Sequence, residues 1–294
     1  MPTETLTYGT DHSLQTVTVT TFSHSSPTGY WLVLIHGGAW RDPTQTATNY
    51  LAPVSTLLTP KITSNTTPLP IAGLASISYR LGAHPSHPQD ASSTAVHDLR
   101  TAKHPDHIHD VQAALAFLQS RYAFGDRYLL VGHSCGAMLA FQAVMGRFRR
   151  GMDAAAVPRG ILGMAGIYDL RLIRDMHKDV AAYEEIVVGA FGGEESAWDA
   201  ASPAVVEGAD GVEGGWGGAP RLAVLAHSSE DGLVDLEQRD AMRNALRRWE
   251  AASPGRAVEQ LDLTGRHDEA WEKGDELARG IVFALEKLRA MESA

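Results

Sequence analysis

The stretch that most constrains this chain is Gly132-His133-Ser134-Cys135-Gly136. It follows the β-prone run Tyr128-Leu129-Leu130-Val131 and precedes the apolar segment Ala137-Met138-Leu139-Ala140-Phe141. Strand, sharp turn and buried helix in direct succession need small residues on both sides of the turn, so that strand and helix can approach closely. The turn also imposes a strained backbone on Ser134 and leaves its hydroxyl at the tip. A plain glycine turn would share the pattern, and in a chain with 28 glycines the five residues alone decide nothing. The surroundings decide.

Around this turn, β-prone runs alternate with helical patterns. The runs are Leu14 to Phe22 (expected near a sheet edge), Tyr30 to Ile35, Ile71 to Tyr79, Gly160 to Ala165, Arg221 to Ala226 and Ala257 to Leu263. Helices are expected over 49–58, closed by Pro60, and over 107–119, where Val111, Ala114, Leu115 and Leu118 share a face. Two more are expected around Met242, Ala245, Leu246 and Trp249, and around Leu277, Ile281, Leu285 and Leu288. This alternation predicts an α/β fold: a mostly parallel sheet with helices on both faces.

Residues 167–205 break the alternation, and 167–218 is expected to form a small cap insertion within a single domain spanning 1–294. The six glycines between Gly208 and Gly218 read as a flexible excursion or the tether of that cap. Residues 61–70, 80–104 and 149–157 read as loops or polar connections.

A net charge of −10 argues against nucleic acid or an anionic membrane as partner. The single cysteine forbids an intrachain disulfide and fits a reducing compartment. Residues 1–13 lack a signal-peptide pattern, and no stretch approaches the ~20 apolar residues of a membrane span. A cytoplasmic protein acting on a small molecule is expected, and a homodimer is allowed.

A serine hydroxyl needs a base, and the base needs an orienting acid. His267, in Gly265-Arg266-His267-Asp268 just past the last strand, is the candidate base. The acid is sought in His227-Ser228-Ser229-Glu230-Asp231-Gly232-Leu233-Val234-Asp235, directly after the strand ending at Ala226. Asp231 lies in the loop itself; Asp235 could instead cap the next helix with Gln238, and Glu230 is the third choice. The order Ser134, Asp231, His267 is that of α/β-hydrolases. In His36-Gly37-Gly38-Ala39-Trp40, glycines after a strand let N–H groups converge on one spot, as an oxyanion requires. Its expected donors are Gly38 and Ala39, joined by the N–H of Cys135. Cys135 lies one residue past the nucleophile position, which argues against its thiol as the nucleophile. His104, His107 and His109 could suggest a metal, but no cysteine or carboxylate set completes a site, so neither metal nor cofactor is expected.

Taken together these residues resemble the fungal kynurenine formamidases (arylformamidases) of the α/β-hydrolase superfamily. The resemblance rests on the H-G-G-x-W stretch 36–40, the elbow 132–136, Gly166-Ile167-Tyr168-Asp169-Leu170, Ala190-Phe191-Gly192, Ala201-Ser202-Pro203, the acid loop and Gly265-x-His267. It implies hydrolysis of N-formyl-L-kynurenine to L-kynurenine and formate, with Ser134 attacking the formyl carbon and no metal required. Trp40, with His36 and Gly37, is then expected at the substrate pocket, core packing being the alternative for Trp40. The 208–218 stretch and the 61–70 and 83–104 loops depart from the family pattern. A carboxylesterase or secondary-metabolite hydrolase on the same scaffold, and a non-catalytic ligand-binding relative, are the competing readings.

Overall fold

All six residues of Tyr30–Ile35 are buried, which a strand achieves only when both faces of its sheet are covered. The computed structural model describes residues 3–22, 29–64, 69–149 and 157–293. Its strands are β1 (Thr3–Thr7), β2 (Thr16–Thr21), β3 (Tyr30–Ile35), β4 (Ile71–Ile77), β5 (Tyr128–His133), β6 (Gly160–Met164), β7 (Arg221–Ser228) and β8 (Arg256–Leu263). They form one sheet in the order β1-β2-β4-β3-β5-β6-β7-β8. The β1–β2 and β2–β4 pairs are antiparallel, and every pair from β4 to β8 is parallel.

The helices are α1 (Ala47–Ile62), α2 (Asp106–Tyr122), α3 (Cys135–Gln142), α4 (Leu170–Met176), α5 (Ala181–Phe191), α6 (Glu195–Ala201), α7 (Val212–Gly215), α8 (Leu236–Ala251), α9 (Glu269–Glu272) and α10 (Asp275–Ser293). Alternation along the strands sends neighbouring side chains to opposite faces. Val33 and Ile35 join the α2, α3 and α8 layer through Val111, Met138 and Leu246. Leu32 and Leu34 join the α1 and α10 layer through Val54 and Ile281.

The 14–22 run lies near the sheet edge as expected, with one further strand, β1, outside it; Thr3–Thr7 is largely exposed and carries little apolar signal, being held partly by a Thr3–Thr20 hydroxyl contact of 2.8 Å. Two expectations are corrected. Helix α1 starts at a reciprocal Thr46–Asn49 capping box and runs through Pro53 and Pro60 to Ile62, rather than ending at Pro60. The 208–218 stretch is packed, not a loose excursion. Trp216 is fully buried, stacks on Trp249 at 4.5 Å and donates its indole N–H to Pro158 O at 2.8 Å. Three of its glycines, Gly211, Gly214 and Gly215, serve close backbone approach: a Cβ on Gly215 would collide with Val144 O. Residues 65–68 of the 61–70 loop and 150–156 of the 149–157 connection lie outside the described residues.

The elbow shows the same physics at its tightest. A Cβ on Gly132 would run into Gly136 O and Ala137 N, and one on Gly136 into Ile35 O and His36 O. The two glycines let α3 sit against β5 and β3, while Ser134 takes the strain at φ 54°, ψ −122°. Every residue of α3 is buried.

Gly132→Ala is therefore expected to destabilise by about 2–3 kcal/mol, since only backbone stands in the way. Gly189→Ala, in an exposed helical position where a Cβ meets nothing, should be neutral or stabilising by up to about 1 kcal/mol. Urea denaturation midpoints of the two variants check the contrast.

Candidate active site

Ser134 lies at the C-terminal end of β5, on the wall of a cavity of about 420 Å³ that His267 also lines. Its main-chain N–H is held by Met164 O at 2.9 Å. Among the described residues its hydroxyl makes no hydrogen bond, so the oxygen and its proton remain available to the cavity. Catalytic contacts of this kind commonly tighten only when substrate binds.

His267 is placed by Gly265, whose φ of 86° turns the chain out of β8. Its Nδ1 stands 2.7 Å from Asp231 Oδ2, which directs Nε2 away from the acid. Asp231 is anchored in turn, its Oδ1 accepting the N–H groups of Leu233 at 2.9 Å and Val234 at 3.0 Å. Burial would raise its carboxyl, but His227, His267 and the Val234 amide outweigh burial and hold it well below the usual carboxylate range. Asp231 is thus ionised at any working pH, suited to orient and stabilise an imidazolium.

The three candidate acids have different partners. Asp235 Oδ2 sits 2.6 Å from His177 Nε2. It stands at the start of α8 without a side-chain capping bond, contrary to the capping box weighed from sequence. Gln238 instead takes the N–H groups of Tyr168 and Asp169 at 2.7 and 2.8 Å. Glu230 accepts the Gly265 N–H at 3.3 Å.

The 36–40 loop turns sharply, with φ of 94° at Gly38, 49° at Ala39 and 59° at Trp40. Gly38, Ala39 and Trp40 line the cavity beside Ser134. Cys135 opens α3, where a first-turn N–H has no intrahelical acceptor and the helix dipole favours negative charge. Its side chain lies beneath the loop, Sγ taking the Trp40 N–H at 3.4 Å. Burial pushes the Cys135 thiol up to about 11, against the Tyr79 hydroxyl and the nearby amides, so it stays protonated and buried. Trp40 is both core and wall: it is 1% exposed and meets Phe191 of α5 edge-on at 5.0 Å.

His36 and Gly37 are not among the residues lining this cavity. The positive-φ turn begins after them, leaving them inside the molecule. His36 stacks on Tyr79 at 4.5 Å, and Gly37 sits where a Cβ would lie 2.8 Å from His133 Nδ1 and 3.2 Å from Ser134 Cβ. Their part is to let the loop pass close to the elbow.

Sequence reasoning missed several supports. The Tyr79 hydroxyl ties down the loop through His36 O at 3.1 Å and Gly37 O at 3.2 Å. His133 Nε2 reaches His267 O at 2.9 Å, pinning the histidine loop to β5. His227 Nε2 bonds Val234 O at 2.8 Å and lies 3.4 Å from Asp231 Oδ2. Each follows or ends a strand, but nothing in local spacing marks it. The apolar wall comes from α4, α5 and their flanks, with Leu170, Ile173, Ile186 and Val187, and from Leu233 and Val234 after β7. Residues 167–191 thus cover the site, whereas 208–218 packs elsewhere.

His104, His107 and His109 are not brought together as ligands. His107 is buried and pushed down to about 3 by that burial, and His109 is exposed on the other side of α2. Among the described residues, His133, His267 and Asp268 bring ligand atoms within 4.8 Å of one another. One nitrogen on each histidine is already committed to a protein acceptor. No helix among the described residues is long and apolar enough to cross a membrane.

Replacing Asp231 by Asn should lower kcat by about 10³–10⁴-fold, as loss of the orienting acid does in related triads. Asp235→Asn should cost less than about tenfold, because its carboxylate serves His177. Steady-state rates of the two variants, with circular dichroism to verify folding, distinguish the two acids.

No family model matches the chain. Among curated proteins it is 40% identical over 262 residues to the kynurenine formamidase-like hydrolase fscH of Fusarium equiseti, covering 89% of this chain and 84% of that protein. It is 38% identical to the kynurenine formamidase avaC of Aspergillus versicolor, over 89% of this chain and 90% of the other. Solved structures show the fold: an esterase/lipase from an uncultured bacterium (TM-score 0.65, 14% identity, 100% of this chain and 85% of that one) and esterase B of Lactobacillus rhamnosis (TM-score 0.63, 15% identity, 99% and 87%). The elbow, the loop before it and the acid–histidine pair therefore sit on an α/β-hydrolase fold, and the chain belongs to the kynurenine formamidases.

Proposed function

We propose that the protein is a serine hydrolase that cleaves N-formyl-L-kynurenine to L-kynurenine and formate. The observation that carries the reaction type is the placement of Ser134 and His267 on one apolar-walled cavity, with Asp231 2.7 Å from His267. The substrate is supported by the names of relatives similar over nearly nine-tenths of the chain.

In this reading His267 Nε2 takes the Ser134 proton as Oγ attacks the formyl carbon, and the carbonyl oxygen becomes an oxyanion. The N–H groups of Gly38, Ala39 and Cys135 receive that charge, each worth roughly 3 kcal/mol in the transition state. Collapse of the tetrahedral intermediate breaks the C–N bond, and the proton on His267 passes to the departing arylamine. Water, deprotonated by His267, then attacks the formyl-serine; formate leaves and Ser134 regains its proton. An arylamine departs more readily than an alkylamine, so the chemistry calls on no cofactor. The cavity is of a size usual for small-molecule sites, about 300–1,000 Å³, and its apolar cap wall suits an aryl ring. A cytoplasmic setting fits the lone cysteine, buried with a free thiol.

Purified enzyme should turn over N-formylkynurenine with a kcat/KM well above that for p-nitrophenyl acetate. Ser134→Ala should abolish both activities while leaving the thermal transition in place. Brisk ester cleavage beside negligible formamide turnover would replace the formamidase by an esterase, and retained activity in Ser134→Ala would remove the nucleophile.

A further inference from the structure

The lining of the Ser134 cavity includes one arginine, Arg41, placed immediately after the turn that carries Gly38, Ala39 and Trp40. Among the described residues its guanidinium makes no hydrogen bond and no ion pair. Asp42 and Glu185 are near enough to favour its charge, yet neither pairs with it, and burial opposes that charge. A guanidinium is planar, permanently charged and matched to carboxylates. Left half-buried and unpaired on the wall of a ligand cavity, it is a group waiting for an anion.

Two carboxylates, Asp42 and Asp268, line the same cavity. Asp42 uses Oδ1 for the Thr44 N–H at 2.8 Å and the Thr44 hydroxyl at 2.7 Å. Asp268 uses Oδ1 for the Trp271 indole N–H at 2.9 Å and Gln45 Nε2 at 3.4 Å. In each, Oδ2 has no hydrogen-bond partner among the described residues. The lining thus offers one unpaired cation and two open carboxylate oxygens together with the apolar side chains of the cap. Arg41 lies two residues beyond Ala39, so their Cα atoms are at most about 7 Å apart. Arg41 is therefore within a small molecule's length of the position where the acyl oxygen would sit.

We infer that Arg41 seats the α-carboxylate of a formanilide bearing a free α-amino acid, with Asp42 and Asp268 receiving its α-ammonium. This assignment rests on the formamidase reading and adds to it a subsite that selects zwitterionic substrates over those whose amino acid is capped or missing. The formyl carbon and the amino-acid carbon of such a substrate are separated by the aryl ring and a short keto chain. Binding the zwitterion at Arg41 would then set the ring against the cap wall and the formyl group over Ser134.

The test measures kcat and KM of the wild-type protein, Arg41→Leu and Arg41→Lys on N-formyl-L-kynurenine, its carboxamide and N-formyl-2-aminoacetophenone. The wild-type protein should prefer the free acid over the carboxamide by about tenfold or more in kcat/KM, mostly through KM, as one charge-assisted contact provides. Arg41→Leu should bring that ratio to about one by raising KM for the acid, and Arg41→Lys should fall between. An acid-to-carboxamide ratio near one in the wild-type protein, or one unchanged in Arg41→Leu, would overturn the subsite while sustained hydrolysis kept the formamidase reading intact. No hydrolysis of any of the three formanilides by the wild-type protein would overturn that reading and the subsite with it. Because the substrate ratio is read first on the wild-type protein, a poorly folding variant would not protect the proposal.

Discussion

The close backbone contact between Gly132 and Gly136 is what the rest of this structure depends on. With no Cβ at either position, α3 lies against the ends of β5 and β3, and the turn between them must pass through a conformation that an L-residue adopts only under strain. That strain is confined to Ser134, whose surroundings are almost wholly buried and therefore resist relaxation. The same contact brings the first N–H of α3 beneath the 36–40 loop. It also tucks the Cys135 sulfur under the Trp40 amide. One packing constraint thus presents the hydroxyl, supplies a helix N-terminus and supports a loop of three consecutive positive-φ residues.

Electrostatics complete what packing begins. Asp231 is buried, yet held ionised by histidines and amides on several sides, and it orients His267 through one short hydrogen bond. His133 fixes the same histidine loop from the opposite direction by way of its carbonyl. Burial pushes His133 down to about 3, so this support is neutral and does not compete with His267 for a proton. A second pair, His177 with Asp235, joins the cap to the acid loop, as does the Tyr183 hydroxyl on Leu233 O. The apolar wall and the loop that carries the candidate acid are therefore parts of one connected assembly.

Much of this was legible in the sequence because it is encoded locally. The β-prone run before Gly132, the glycines of 36–38 and the position of His267 after the last strand each follow from short-range geometry. What escaped was set by distant contacts. Thr3–Thr7 has little apolar signal and becomes a strand only because β2 offers it partners. The glycines of 208–218 suggested mobility, but at Gly214 and Gly215 the backbone of Val144, Gly146 and Ala209 stands too close for a side chain. His36 and Gly37 shared a motif with the loop that faces the cavity, yet the chain reverses just after them. Tyr79, His133 and His227 act through partners 7 to 134 residues away along the chain, a relation no local spacing records.

The central claim is that Ser134, activated by His267, is the nucleophile, and covalent labelling tests it most directly. After treatment with a fluorophosphonate, peptide mass spectrometry of the wild-type protein should find the adduct on Ser134 alone. The His267→Ala protein should remain essentially unlabelled. An adduct on another residue, or undiminished labelling of Ser134 without His267, would contradict the account.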